Sequence, residues 1–89
     1  MTKIDYFLDI TRDVCPMTFV RTRLLIEKVA SGAVIEVRLN GGEPLGNVPD
    51  SVAELGHAIL GVWDEAGNPV DRAPPPAGGG PYRLRIRKA

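Results

Sequence analysis

The chain has 89 residues, the length of one small domain that can bury about two-thirds of its unfolded surface. Hydrophobic residues make up 44% and charged residues 25%, a balance that suits a packed protein rather than a disordered one. Eleven Lys and Arg against eleven Asp and Glu exclude a global basic field for nucleic acid or membrane, leaving only local patches. The single cysteine excludes an internal disulfide and a cysteine-type zinc site, and His57 alone cannot hold zinc. No apolar run approaches the ~20 residues of a membrane helix. Met1 to Asp9 lacks the basic start and apolar stretch of a secretory signal, so a cytoplasmic protein is expected.

Residues Tyr6 to Ile10 alternate as a short first strand. The polar turn Thr11-Arg12-Asp13-Val14 follows, then Cys15-Pro16, with proline suited to the first position of a helix because its missing N–H would have no helical partner there. A helix is predicted over Pro16 to Ala30, ended by Ser31-Gly32. Phe19, Leu25, Ile26, Val29 and Ala30, with Thr22 among them, form its expected core side. Met17, Val20 and Leu24 form a second stripe flanked by Arg21, Arg23 and Lys28; packing against a neighbouring helix is the expected use, and docking of a partner the alternative.

Ala33 to Leu39 reads as the second strand, and Asn40-Gly41-Gly42 breaks it. A second helix is predicted to start at Asn47-Val48-Pro49-Asp50, with Asn47 as cap, Val48, Val52 and Leu55 on one face, and Gly56 as the stop. The third strand is placed at Ala58 to Asp64, with the turn Glu65-Ala66-Gly67-Asn68 after it. Five prolines and three consecutive glycines make 68–81 an exposed loop. Tyr82 to Arg87 is the last strand, Leu84 and Ile86 inward, Arg83, Arg85 and Arg87 outward. The order β-α-β-α-β-β predicts an α/β (α+β) two-layer sandwich, a four-stranded mixed sheet with two helices on one face.

The run Leu8-Asp9-Ile10-Thr11-Arg12-Asp13-Val14-Cys15-Pro16 resembles the TusA/SirA-like (YedF-like) sulfur-carrier family. Val48-Pro49, Gly56-His57 before a strand, and the ending Tyr82 to Lys88 are similar to that family as well. The resemblance implies a single βαβαββ domain over 1–89 that accepts sulfane sulfur on Cys15. It also implies a sulfur donor, a cysteine desulfurase or rhodanese-like protein, and an acceptor protein of a sulfur relay. Two positions depart from the family pattern: Thr18 stands where Cys-Pro-x-Pro has its second proline, and Arg12 where a glycine usually precedes the cysteine by three residues. Both changes bear on the shape of the loop and so on the choice of partners.

The chemistry such a cysteine needs is a thiolate, whereas an unperturbed cysteine with a pKa of about 8.5 is mostly protonated at neutral pH. A helix start favours an anion, and the amides of Met17 and Thr18 are the expected donors, with Arg12 adding positive charge and Asp13 opposing it. No cofactor is required. Against this stands the ordinary role of a lone cysteine as a small buried hydrophobe.

Arg38, Arg83, Arg85 and Arg87, joined by Glu36, are expected to share the open sheet face. A solvated face is the plain reading, and a surface for RNA phosphates or an acidic protein the sharper one. Aromatic stacking residues are missing from the last strand after Tyr82, so nucleic acid is not the expected partner. His57 reads as a hydrogen-bonded structural residue and Trp63 as packing. A binding module using the arginine face, with Cys15 incidental, is the main alternative function, and a thiol redox sensor is a third.

Overall fold

The structure, a computed structural model, describes residues 3–14, 17–70 and 81–89. Its elements are β1 (Tyr6–Asp9), α1 (Met17–Lys28), β2 (Val34–Leu39), α2 (Glu43–Glu54), β3 (Ala58–Asp64) and β4 (Tyr82–Arg87). The four strands form one mixed sheet in the order β1-β2-β4-β3. β1 runs parallel to β2, while β4 is antiparallel to both β2 and β3. The α+β architecture expected from the sequence is the one observed.

Alternation sorts the strands into two faces. Ile35, Val37 and Leu39 of β2 align with Ile86, Leu84 and Tyr82 of β4, and these join Ile26 and Val29 from the α1 region and Leu45, Val48 and Val52 of α2 in one core. Ile35, Val37, Leu39, Leu84 and Ile86 are fully buried. Both helices therefore cover the same face of the sheet.

α1 buries Thr18, Thr22 and Ile26, with Phe19 and Leu25 packed at the core margin. Thr22 resolves its burial by donating its hydroxyl to the Thr18 carbonyl at 2.8 Å. Ala30, assigned to the core side from sequence, lies outside the helix and is exposed. Met17, Val20 and Leu24 are also exposed, so their stripe does not pack against a neighbouring helix as expected, although α1 and α2 touch elsewhere.

α2 departs most from the sequence reading. It starts at Glu43, with Gly42 as N-cap and proline in the first turn, rather than at an Asn47 cap. Pro49 thus sits inside the helix. An internal proline removes one helical hydrogen bond. Burial of Leu45, Val48 and Val52 at helical spacing holds the segment together nonetheless. Leu45 takes the core place assigned to Leu55, which is exposed. The predicted stop at Gly56 is observed. With φ at 94°, Gly56 donates to Ala53 O at 3.0 Å, and His57 N–H reaches Val52 O at 3.4 Å, the paired bonds of a Schellman end.

β3 and β4 match their predicted bounds. β3 carries an irregularity between Ile59 and Gly61. A Cβ on Gly61 would lie 2.8 Å from the Trp63 ring, so the indole packs directly on the glycine backbone. Beyond the turn, Val70 N–H donates to Val62 O at 2.9 Å and covers the outer edge of β3. Of the loop predicted at 68–81, residues 71–80 lie outside the described residues. His57 has the structural role expected of it, its Nδ1 accepting the Ala89 N–H at 3.1 Å.

Candidate functional site

Cys15 and Pro16 lie outside the described residues, so the site is built from the chain on either side. The Ile10–Val14 turn leading to them is tied down at several points. Asp9 Oδ1 accepts the Thr11 N–H at 2.9 Å and the Thr11 hydroxyl at 2.7 Å. Asn40 Nδ2 donates to Thr11 O at 2.8 Å, and Asp13 N–H to Ile10 O at 3.1 Å. The two bonds from Thr11 hold the Asp9 carboxyl below the ordinary carboxylate value, the hydroxyl bond being the largest cause.

The Asp13 carboxylate forms an ion pair with Arg21 on the first turns of α1, so the acid expected to oppose a thiolate has its own cation. Arg12 is exposed. Met17 N–H donates to Val14 O at 2.8 Å, so this amide is engaged and is not one of the free donors the sequence suggested. The Thr18 side chain is buried. The nearest described residues on either side of the Cys15-Pro16 pair are apolar and open: Val14 is 75% exposed and Met17 47%.

From Val14 the exposed apolar residues continue through Met17, Val20 and Leu24 at helical spacing. Beside Leu24 a shallow groove runs between α1 and β1, lined by Leu8, Leu24 and Leu25 and rimmed by Arg21 and Lys28. Leu8 and Leu25 escaped the sequence reading of a partner surface. The signal available was the alternation that turns Leu8 to the helix side of β1.

The arginine face is organised differently. Glu36, almost fully buried, accepts from Arg83 Nη1 at 2.9 Å and Arg85 Nε at 3.1 Å. Glu65 accepts from Arg83 Nε at 3.2 Å and Arg38 Nε at 3.3 Å, and Arg38 Nη1 reaches Asp9 at 3.2 Å. Arg83 lies over Phe7 at 5.6 Å and Arg85 over Trp63 at 4.6 Å. Their carboxylate partners, Glu65 first for Arg38 and Glu36 first for Arg83, push both guanidinium pKa values up. Arg38, Arg83 and Arg85 are therefore neutralised within the chain, and a phosphate would have to displace a carboxylate to reach them. Arg87 stands apart from this network at the exposed end of β4. Trp63 packs rather than projects.

Comparison of the sequence with known proteins places the chain in a family. Two curated relatives each bear the name "Putative sulfur carrier protein". The one from Archaeoglobus fulgidus is 40% identical over 55 residues, 62% of this chain and 62% of its own length. The one from Thermotoga maritima is 30% identical over 55 residues, 62% of this chain and 70% of its length. The match to the first thus spans about six-tenths of that relative. Residues 6–70 match the family described as "Sulfurtransferase TusA", a segment that holds β1, β2, β3, both helices and the Cys15-Pro16 pair. The chain belongs to the TusA sulfurtransferase family.

Proposed function

We propose that this chain is a single-domain sulfur carrier of the cytoplasm that takes sulfane sulfur as a persulfide on Cys15 and relays it to a partner protein. The observation that carries the reading is the place of the one cysteine. It falls inside the family-matched segment, directly before α1 and followed by proline, between the exposed apolar residues Val14 and Met17. The family membership and the names of the two relatives support the same role.

In the loading step the Cys15 thiolate attacks the outer sulfur of a donor persulfide. The new Cys15 S–S bond forms as the donor's S–S bond breaks, and the donor leaves as a thiolate. An acceptor thiolate then attacks the outer sulfur on Cys15, which is released as a thiolate in turn. One neutral sulfur atom moves at each step, so no external oxidant or reductant enters. The donor is a cysteine desulfurase or rhodanese-like protein, and the acceptor another relay protein. Pro16, Met17 and Thr18 shape the helix entry, and Arg12 offers a positive charge at its mouth. Among the described residues no helix is long and apolar enough to cross a membrane.

The test is mass spectrometry of the intact chain after incubation with a cysteine desulfurase and cysteine. A gain of one sulfur atom that maps to Cys15 and is lost in Cys15→Ser, with the circular dichroism spectrum unchanged, is the expected result. No gain from either a desulfurase or a rhodanese-like donor would sink the proposal.

A further inference from the structure

The groove between β1 and α1 starts beside the helix entry, where its Arg21 pairs with Asp13, and extends along the helix to Leu24 and Lys28. From Met17 to Leu24 the helix rises about 10 Å. Its floor is apolar, made by Leu8, Leu24 and Leu25, and Leu24 is 51% exposed. Its rim is cationic, made by Arg21 and Lys28. The exposed Lys28 forms no ion pair with another described residue, in contrast to Arg38, Arg83 and Arg85 on the sheet face. Arg21 is shared with Asp13. A cation beside an open apolar floor selects a ligand that combines an apolar side chain with a neighbouring carboxylate.

We infer that this groove is an anchor for an acidic-apolar segment of the sulfur-relay partner, a leucine or phenylalanine flanked by Asp or Glu. The apolar side chain covers Leu8, Leu24 and Leu25, and the carboxylate faces Lys28. The inference rests on the carrier reading for the identity of the partner. It adds to that reading a division of labour, with affinity set at the groove and chemistry at the cysteine. Loss of the anchor then weakens capture of the partner without altering the reactivity of Cys15.

The test uses the full chain labelled with nitrogen-15 and two synthetic peptides, acetyl-Glu-Asp-Leu-Phe-Asp-Glu-amide and its counterpart with lysine at the four acidic positions. The acidic peptide is expected to shift the amide signals of Leu8, Leu24, Leu25 and Lys28, and the basic peptide to leave them in place. Lys28→Glu and Leu24→Asp, both at exposed positions, are each expected to raise the acidic peptide's Kd at least tenfold. Loading of Cys15 by inorganic polysulfide is expected to be equal in the wild type and both variants. Absence of shifts, shifts confined to the sheet face, or identical shifts from the basic peptide would overturn the anchor. So would a dimer by light scattering that Leu24→Asp disrupts, since the groove would then hold a second copy. Polysulfide loading is read separately, so a dead Cys15 with a working groove removes the carrier, and the reverse removes only the anchor.

Discussion

The two basic surfaces of this molecule look alike in sequence and differ in what they can bind. Arg83, Arg85 and Arg87 recur every second residue along β4, and Arg21, Arg23 and Lys28 recur along α1. On the sheet, Glu36 and Glu65 each hold two arginines, and Phe7 and Trp63 lie beneath two of them. On the helix, Arg21 and Arg23 are likewise paired, with Asp13 and Glu27, and Lys28 is the cation beside open apolar side chains that forms no ion pair with a described residue. Counting cations therefore locates neither surface. What decides is whether the carboxylate that would come from a partner is already supplied by the chain.

The sharpest way to break this contrast is to remove the buried carboxylate. Glu36→Ala is expected to cost about 2–3 kcal/mol in urea unfolding, because Arg85 loses its carboxylate and Arg83 is left with Glu65 alone. The same variant is expected to elute from heparin at higher salt than the wild type, as Arg85 is released for phosphate-like ligands while Arg83 keeps Glu65. A smaller loss, about 1–2 kcal/mol, is expected for Gly61→Ala. Its new Cβ would push the Trp63 ring from 2.8 Å contact, and a change in tryptophan fluorescence reads the displaced stack with Arg85.

On the helix the effect on stability is expected to vanish. Val20→Asp, on the exposed stripe, is expected to move the unfolding free energy by no more than about 0.5 kcal/mol while slowing sulfur transfer from a protein donor. Smallest is the pH dependence of the sheet-edge carboxylate. The Asp9 pKa is lowered in the folded chain, so its contribution is fully present above the ordinary value of 3.8 and is lost as pH falls through the lower folded value. Asp9→Asn is expected to flatten the stability profile below about pH 4, read by thermal unfolding across that range.

The sequence carried the strands better than the second helix. β3 and β4 alternate cleanly, and turn residues bound them, so their limits were legible. The start of α2 was not. Asn47 to Asp50 has the composition of a cap, and a proline at 49 fits a first turn, yet burial of Leu45 outweighs the hydrogen bond lost at Pro49. Around the cysteine, the helix that follows was readable, whereas the exposed apolar flanks Val14 and Met17 were not, Val14 reading as part of a polar turn. The bond from Met17 N–H to Val14 O was not, since it depends on how the chain bends at the helix entry. Alternation likewise put the arginines on one face, but their partner Glu65 comes from a turn whose reach no periodicity encodes.

The strand order has a consequence for how the chain is built. β4 is the last strand in sequence yet lies in the middle of the sheet, bonded to β2 on one side and β3 on the other. Until residues 82–87 have left the ribosome, β3 has no ladder joining it to β1 and β2, and the facing edges of β2 and β3 stay unpaired. A nascent chain that ends in the proline-glycine segment thus carries two open strand edges, and β4 is the element that joins them into one sheet.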